Sequence, residues 1–141
     1  MIDGTQILGT GVDIVETSRI QDALDRFGER FLNRCFWPDE VAYCRGIKSP
    51  ALHLAARFAA KEAISKAFGT GISQELGWKD MEIRKRENGE PYVVLRGRGE
   101  ELARVRGVTE LFVSLSHCKE YAAAHAVITG RAPAAGSTGA P

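Results

Sequence analysis

The stretch HLAARFAAKEAISKAFGTG, residues 53–71, is typical of a helix that packs on one side and ends at a glycine turn. At 100° per residue its small and aliphatic side chains share one continuous face, which predicts a helix over residues 51–68 that lets another backbone approach closely. The opposite half carries four charges and one aromatic ring: Arg57, Lys61, Glu62, Lys66 and Phe58.

Two interpretations of this charged half remain open from the helix alone. It can be a solvated face, on which Glu62 and Lys66 form an i, i+4 pair worth only about 0.3–0.5 kcal/mol. However, Phe58 stands among the charges, and Leu54 and Phe68 lie nearby, so partial burial is expected. A partly buried charged face is typical of a cleft or an interface.

A strand is predicted upstream, over residues 7–16, by the β-branched and glycine-punctuated sequence ILGTGVDIVE. Asp13 lies inside it among apolar residues, where an unpaired carboxylate is costly. Asp13 either accepts hydrogen bonds at the strand-to-helix junction or requires a cation. A metal ion shared with Glu62 is one candidate for that cation.

Two shorter helices are predicted between this strand and the long helix. The first covers residues 19–27, because Ser18 and Gln21 form a capping-box pattern before an apolar periodicity. The second covers residues 38–45, where Pro38 suits the first helical position.

The downstream half has the pattern of strands with one more helix. Asn88-Gly89 between two strand-like runs predicts a hairpin. The elements expected there are strands over 81–86 and 91–96, a helix over 99–106, and an antiparallel pair formed by ELFVSLSH and YAAAHAVIT. His117 ends the first strand of that pair, and a lone histidine there is more often a surface or capping residue than a ligand. His53 is expected to be structural.

Composition narrows the function classes. The 141 residues carry a net charge of +1, which argues against a generic binder of nucleic acid. Three cysteines without metal-ligand spacing, and no secretory leader pattern, predict a cytoplasmic protein. No apolar run is long enough to span a membrane. We expect one domain over residues 1–129 and a disordered tail over 130–141, which is rich in small residues, proline and glycine.

Three segments in this order, GTGVDIVETSRI, RFAAKEAISKAFGTGI and VSLSHCKEYAAAHAVI, resemble the holo-[acyl-carrier-protein] synthase family, the small bacterial type of 4′-phosphopantetheinyl transferase. The resemblance covers about residues 7–129. It implies an α+β fold in which an antiparallel sheet packs on a long helix. It also implies magnesium-dependent transfer of phosphopantetheine from coenzyme A to a serine of apo-acyl carrier protein, by a homotrimer with active sites at subunit interfaces.

The resemblance also implies roles for single residues. Asp13 and Glu62 match the magnesium ligands, Lys66 matches the lysine that reaches the phosphates, and Glu62 is the expected base, directly or through a water on the metal. The residues expected to bind the nucleotide are Arg57 and His117, with Lys61 and Ser116 as further candidates.

The family's helix after the catalytic aspartate meets the acidic carrier protein through arginines, here Arg19 and Arg26. Two other functions stay open at this point. A trimeric module that holds coenzyme A without transfer needs Arg57 and His117 but neither carboxylate. A metal-dependent phosphohydrolase uses the carboxylates with water as acceptor and has no use for a docking surface.

Overall fold

A computed structural model describes residues 4–133 and arranges them around the long helix. The elements in chain order are β1 (Gln6–Glu16), α1 (Thr17–Phe27), α2 (Glu29–Cys35), α3 (Pro38–Arg45), α4 (Pro50–Ala67), β2 (Met81–Lys85), β3 (Pro91–Leu95), α5 (Gly97–Arg106), β4 (Val108–His117) and β5 (Tyr121–Gly130). The expected tail begins at Gly130, which is the last residue of β5. The rest of that tail from residue 134 lies outside the described residues, so its disorder stays a prediction.

The main sheet has the strand order β1-β5-β4, with both pairings antiparallel, and β2 and β3 form a separate hairpin. The central strand β5 buries Ala122, Ala124 and Ala126 against α4. The α+β class and the antiparallel sheet packed on a long helix are therefore confirmed. Within the described part of the chain, no helix is both long and apolar enough to cross a lipid bilayer.

The strand β1 and the helix α4 are in contact through their backbones. A Cβ atom added at Gly9 would lie 2.0 Å from the carbonyl oxygen of Ala67, and one added at Gly11 would lie 1.9 Å from that of Ala63. Both distances are far below any contact that real Cβ atoms make, so only glycine fits at these two positions. The expected close approach of a backbone to the small face of α4 is thus found, and its partner is β1.

The core face of α4 agrees with the prediction from its periodicity. Ala59, Ala60, Ala63 and Ile64 are fully buried. The charged half of α4 was expected to be partly buried. The burial is greater than that, because Leu54 and Phe68 are each only 2% exposed. Further elements, among them α1, α3 and β2, pack against this helix and cover part of its second side.

The region between β1 and α3 differs from the prediction. The helix α1 begins at Thr17, and no side chain caps its first turn, so the capping box of Ser18 and Gln21 does not form. The chain turns at Gly28, which has a φ of 51°, and a second helix follows at once. This helix, α2, was not predicted, because seven residues are too few to show a helical period.

A buried carboxylate holds three elements together. Glu40 of α3 is 2% exposed and accepts hydrogen bonds from Lys61 Nζ at 2.8 Å and from the backbone N–H of Ile83 at 3.0 Å. It also accepts the N–H of Trp37 at 2.8 Å, which closes the start of its own helix. Glu40 therefore joins α3 to α4 and to β2.

The face of the main sheet that points away from α4 is uncovered in the single chain. Val12 and Ile14 are each 64% exposed, and Phe112 is 52% exposed. His125 lies between them, in register with Val12 on one side and Ser114 on the other. We call these residues the outer sheet face.

Candidate active site

Three charged side chains meet where β1 crosses the C-terminal half of α4. Lys66 Nζ donates a hydrogen bond of 3.0 Å to Asp13 Oδ1 and one of 3.1 Å to the carbonyl oxygen of Val12. Asp13 is largely shielded, whereas Lys66 is half-exposed. Glu62 lies one turn before Lys66 on the same helix. Asp13, Glu62 and Lys66 together are called the carboxylate site.

The two carboxylates of this site influence each other. Burial raises the pKa of Glu62, and the negative charge of Asp13 raises it further. Lys66 and Arg19 act in the opposite direction. Two acids that share a partly buried site favour a cation between them, because the cation relieves their repulsion.

The donor set fits magnesium better than a metal held by protein ligands alone. Within residues 4–133 there is no cluster of three or more histidine, cysteine or acidic side chains that could hold a metal ion. Magnesium, however, keeps several waters and is commonly bound by one or two carboxylates together with substrate phosphates. Asp13 and Glu62 provide two carboxylates of this kind.

A second polar site lies around the first half of α4. The guanidinium of Arg57 is 1% exposed and stacks on the ring of Tyr43 at 4.6 Å from its centroid. Within the described residues, its Nε and Nη1 have no hydrogen-bond partner. Arg57 lines a cleft of about 240 Å³ whose wall also contains Arg84, Lys85 and Tyr92, together with the acids Asp39, Glu40 and Glu82. Arg84 pairs with Glu82 and Asp39, and Glu40 pairs with Lys61. We call this the arginine cleft.

The two unpaired buried donors of Arg57 and the ammonium of Lys85 make the arginine cleft suited to an anion, because within residues 4–133 the acids on its wall are paired with Arg84, Arg96 and Lys61. A buried N–H without a partner costs about 1–3 kcal/mol, and more when it belongs to a charged group. An acceptor entering the cleft would remove that penalty at Arg57. Planar guanidinium groups bind phosphate oxygens especially well.

His117 lies beside the second site rather than the first. Its ring contacts that of His53 edge to face, with centroids 5.3 Å apart and an interplanar angle of 74°. His53 stands one turn before Arg57 on α4, and the charges of Arg57 and Lys85 act on it. The arginine cleft and the two histidines are therefore neighbours.

The structure brings the predicted residues together as two groups rather than one. The carboxylate site includes Asp13 of β1, whereas His117 ends β4, and these strands are the opposite edges of the main sheet. The charges that act on Glu62 are those of Asp13, Lys66 and Arg19, with none from the arginine cleft. In one chain, each group is half of the expected site.

Lys61 and Ser116 belong to neither group. The ammonium of Lys61 is fully buried and donates to the carbonyl oxygen of Cys35 at 2.6 Å and to Glu40 at 2.8 Å. Ser116 is exposed on the outer sheet face, in register with Ala123. The pairing with Glu40 favours a structural role for Lys61, and the nucleotide-binding role of Ser116 stays a prediction.

An apolar groove is lined by residues of α1, α2 and the long helix, together with Trp78. It has a volume of about 400 Å³, and its aromatic lining is Phe27, Phe31, Phe58 and Trp78. Arg30 and Arg34 stand on its wall. Arg19 and Arg26 are exposed on α1, and the charge of Arg19 reaches Glu62. We call this the aromatic groove.

Sequence reasoning missed His53, Tyr43 and Lys85. One signal was present for His53, since it stands four residues before Arg57 and therefore on the same face of the helix. The positions of Tyr43 and Lys85 depend on how α3 and β2 pack against α4, which no local pattern encodes.

Comparison with known proteins identifies the family of this chain. The family model of the 4′-phosphopantetheinyl transferase superfamily matches residues 9–126. A holo-[acyl-carrier-protein] synthase of Protochlamydia amoebophila is 50% identical over 120 residues, which cover 85% of this chain and 96% of the relative.

Two solved structures are similar as well. The synthase of Helicobacter pylori in complex with coenzyme A is 34% identical, with a TM-score of 0.76, over 84% of this chain and 98% of that one. The synthase of Bacillus anthracis in complex with CoA (3′,5′-ADP) is 35% identical, with a TM-score of 0.74, over 88% and 97%. This chain therefore belongs to the holo-[acyl-carrier-protein] synthase family within the 4′-phosphopantetheinyl transferase superfamily.

Proposed function

We infer that this chain carries out the reaction of its family. It transfers the 4′-phosphopantetheine group of coenzyme A to a serine of apo-acyl carrier protein, and adenosine 3′,5′-bisphosphate is the second product. The observation that supports this inference is the carboxylate site, where Asp13, Glu62 and Lys66 lie close together and Lys66 is half-exposed. A module that only holds coenzyme A has no need of that site.

Asp13 and Glu62 are the proposed magnesium ligands. When bound, the ion orients the pyrophosphate of coenzyme A and neutralises part of its charge. Lys66 is half-exposed and can turn from Asp13 to a phosphate oxygen, where its ammonium stabilises the charge that develops on the leaving group.

Glu62 is the proposed base. The serine hydroxyl of the carrier protein attacks the β-phosphorus and must lose its proton. Burial and Asp13 raise the pKa of Glu62, and a higher pKa makes this carboxylate a stronger acceptor for that proton. The proton then rests on Glu62, and the bond from the β-phosphorus to the bridging oxygen of the pyrophosphate breaks.

A homotrimer would join the two half-sites. The carboxylate site and the arginine cleft lie towards opposite edges of the main sheet, so a neighbouring chain can present its cleft to the carboxylates of the first. The outer sheet face supports self-association, because an exposed surface with Val12, Ile14 and Phe112 is unusual for a chain that stays alone. Arg57 and His117 of one chain would then bind the nucleotide held by Asp13 and Glu62 of the next.

The carrier protein is proposed to dock on α1. Arg19 and Arg26 offer positive charge, and the aromatic groove beside them offers an apolar surface. Because the charge of Arg19 also reaches Glu62, a carrier protein bound there would have its serine close to the base. We also propose a cytoplasmic location, which the three free cysteines support.

The decisive experiment measures the intact mass of an apo-carrier protein after incubation with this protein, coenzyme A and magnesium. We expect an increase equal to one phosphopantetheine group, which is lost when EDTA is added. Glu62→Gln and Asp13→Asn should each slow the transfer at least about 100-fold. Binding of coenzyme A without a mass increase would favour the holding module, and cleavage of the pyrophosphate without a carrier protein would favour the phosphohydrolase.

A further inference from the structure

The contact between His53 and His117 joins the long helix to the end of β4. Their ring centroids are 5.3 Å apart, and the rings meet edge to face at 74°. This geometry is one that aromatic pairs prefer. Because His117 is exposed at the last position of its strand, contact with a neighbouring ring can determine the orientation of its imidazole.

Side chains from three elements act on the pKa of His53. Burial lowers its pKa, and His117 of β4, Lys85 of β2 and Arg57 of its own helix lower it further. The neutral form of His53 is therefore favoured near pH 7. A neutral ring can support His117 without adding another charge to the cluster.

The cluster resembles a site for a phosphate group. Arg57 has two buried donors without partners within the described residues, and Lys85 lies on the wall of the same cleft. An imidazole aimed at the same anion adds a directed N–H donor. The contribution of this donor to anion binding depends on the orientation of the imidazole, because a hydrogen bond weakens steeply when it is misaligned.

We propose that His53 is a positioning residue for nucleotide binding, whose ring holds the His117 imidazole towards the phosphate bound by Arg57. The inference rests on the proposed function, in which His117 and Arg57 contact the nucleotide. His53 acts through His117 and touches no reacting atom.

The test is a double-mutant cycle read by calorimetry. The dissociation constant of adenosine 3′,5′-bisphosphate is measured for the full chain and for His53→Ala, His117→Ala and the double variant. We expect His53→Ala to weaken binding about three- to tenfold, as the loss of one aromatic pair would. In the His117→Ala background the same change should have no further effect, since nothing remains for it to orient.

His53→Phe is the matched control. Phenylalanine keeps an aromatic ring at this position, so we expect binding within about twofold of wild type. In the transfer assay His53→Ala should raise the KM for coenzyme A and leave kcat nearly unchanged. Thermal unfolding of each variant shows whether the fold is intact, and His53→Phe keeps the test valid if the alanine variant is unstable.

Three results would overturn the proposal. They are wild-type binding by His53→Ala, a loss in His53→Phe as large as in His53→Ala, and additive losses in the double variant. Any of them in a chain that still transfers phosphopantetheine refutes only the role of His53. A wild-type chain that transfers nothing would refute the proposed function instead.

Discussion

The charged residues of the long helix occupy three different environments. Lys61 is enclosed with Glu40 inside the chain, while Glu62, the next residue, shares the carboxylate site with Asp13. Arg57 is also enclosed, but two of its donors lack partners in residues 4–133. The crowding of charge thus has two causes, since Lys61 stabilises the fold and the others belong to the two groups that we propose as half-sites.

Glu62 should destabilise the folded chain when no metal is bound. Burial raises its pKa above the usual 4.5, so its ionisation opposes folding above the folded pKa and this cost disappears as the pH falls below 4.5. We therefore expect Glu62→Gln to melt at a higher temperature than wild type at pH 7 in EDTA. The difference should shrink towards pH 4.5, as measured by calorimetry across this range.

The matched control for that measurement is Glu101→Gln on α5. Glu101 is exposed, and Arg104 lowers its pKa, so its removal should not raise the melting temperature. Magnesium should stabilise wild type and leave Glu62→Gln unaffected. A glutamine variant that melts at or below the wild-type temperature in EDTA would disprove this account of Glu62.

At the residue scale, the sequence showed which charged side chains matter, but it did not show which partners surround them. Asp13 was expected either to accept hydrogen bonds or to need a cation, and Lys66 at 3.0 Å provides both. The burial of Lys61 was not foreseen, because its partner Glu40 lies on another helix. The contact between His53 and His117 joins distant parts of the chain, which periodicity cannot relate.

At the element scale, the position of the carboxylate site depends on the contact between β1 and α4. Gly9 and Gly11 let the strand lie against helix carbonyl oxygens, and Asp13 follows two residues after the second glycine. Long periodic elements such as α4 and β5 were predictable from local sequence. The pairing of β1 with β5 joins opposite ends of the chain and was not predictable in that way.

Gly11→Ala should displace β1 from α4. The new Cβ would lie 1.9 Å from the carbonyl oxygen of Ala63, so the strand has to move and to carry Asp13 with it. We expect a loss of about 1–3 kcal/mol in the free energy of unfolding, as for other overpacked sites. Denaturant titration measures the stability, and a magnesium titration of turnover reports on the carboxylates.

Gly46→Ala is the control for that substitution. Gly46 has a φ of −80°, and a Cβ there would meet no atom closer than 3.4 Å. Its stability should stay close to wild type. If both alanine variants behave alike, the backbone contact does not determine the position of β1.

The helix α1 allows a separate prediction about the carrier protein. Arg19→Glu combined with Arg26→Glu should raise the KM for carrier protein steeply, because both arginines are exposed and the expected partner is acidic. The salt dependence should become flatter, while the affinity for coenzyme A stays nearly unchanged. Kinetics at several salt concentrations test this.

The control for the charge reversal is Arg104→Glu on α5, which lies outside the proposed docking surface. Unaltered kinetics of the double variant at low salt would place the docking surface elsewhere. Arg30 and Arg34 of the short helix α2 lie beside the aromatic groove. Because the chain turns at Gly28, a helical wheel continued from α1 does not predict their direction.

At the scale of the whole molecule, the proposed shared site requires more than one copy of the chain. A mixture of Glu62→Gln and Arg57→Ala subunits should regain activity after joint unfolding and refolding, although each variant alone is nearly inactive. If the subunits assemble at random, about a quarter of the interfaces combine an intact carboxylate site with an intact arginine cleft. We therefore expect about a quarter of the wild-type activity to return. The transfer assay on mixed and unmixed samples gives the measurement.

The mixture of Glu62→Gln with Asp13→Asn provides the control. Both changes affect the carboxylate site, so no interface in that mixture contains a complete site. Equal recovery in the two mixtures, or no recovery in the first, would contradict a site shared between subunits.

If half-sites of neighbouring chains form one active site, as we propose, activity also depends on dilution. Below the dissociation constant of the assembly, the chains would keep their fold and lose their catalytic power, because mass action disperses the halves of each site. The specific activity would then rise with enzyme concentration before it levels off. In a cell, changes in expression level would alter turnover per chain as well as the number of chains.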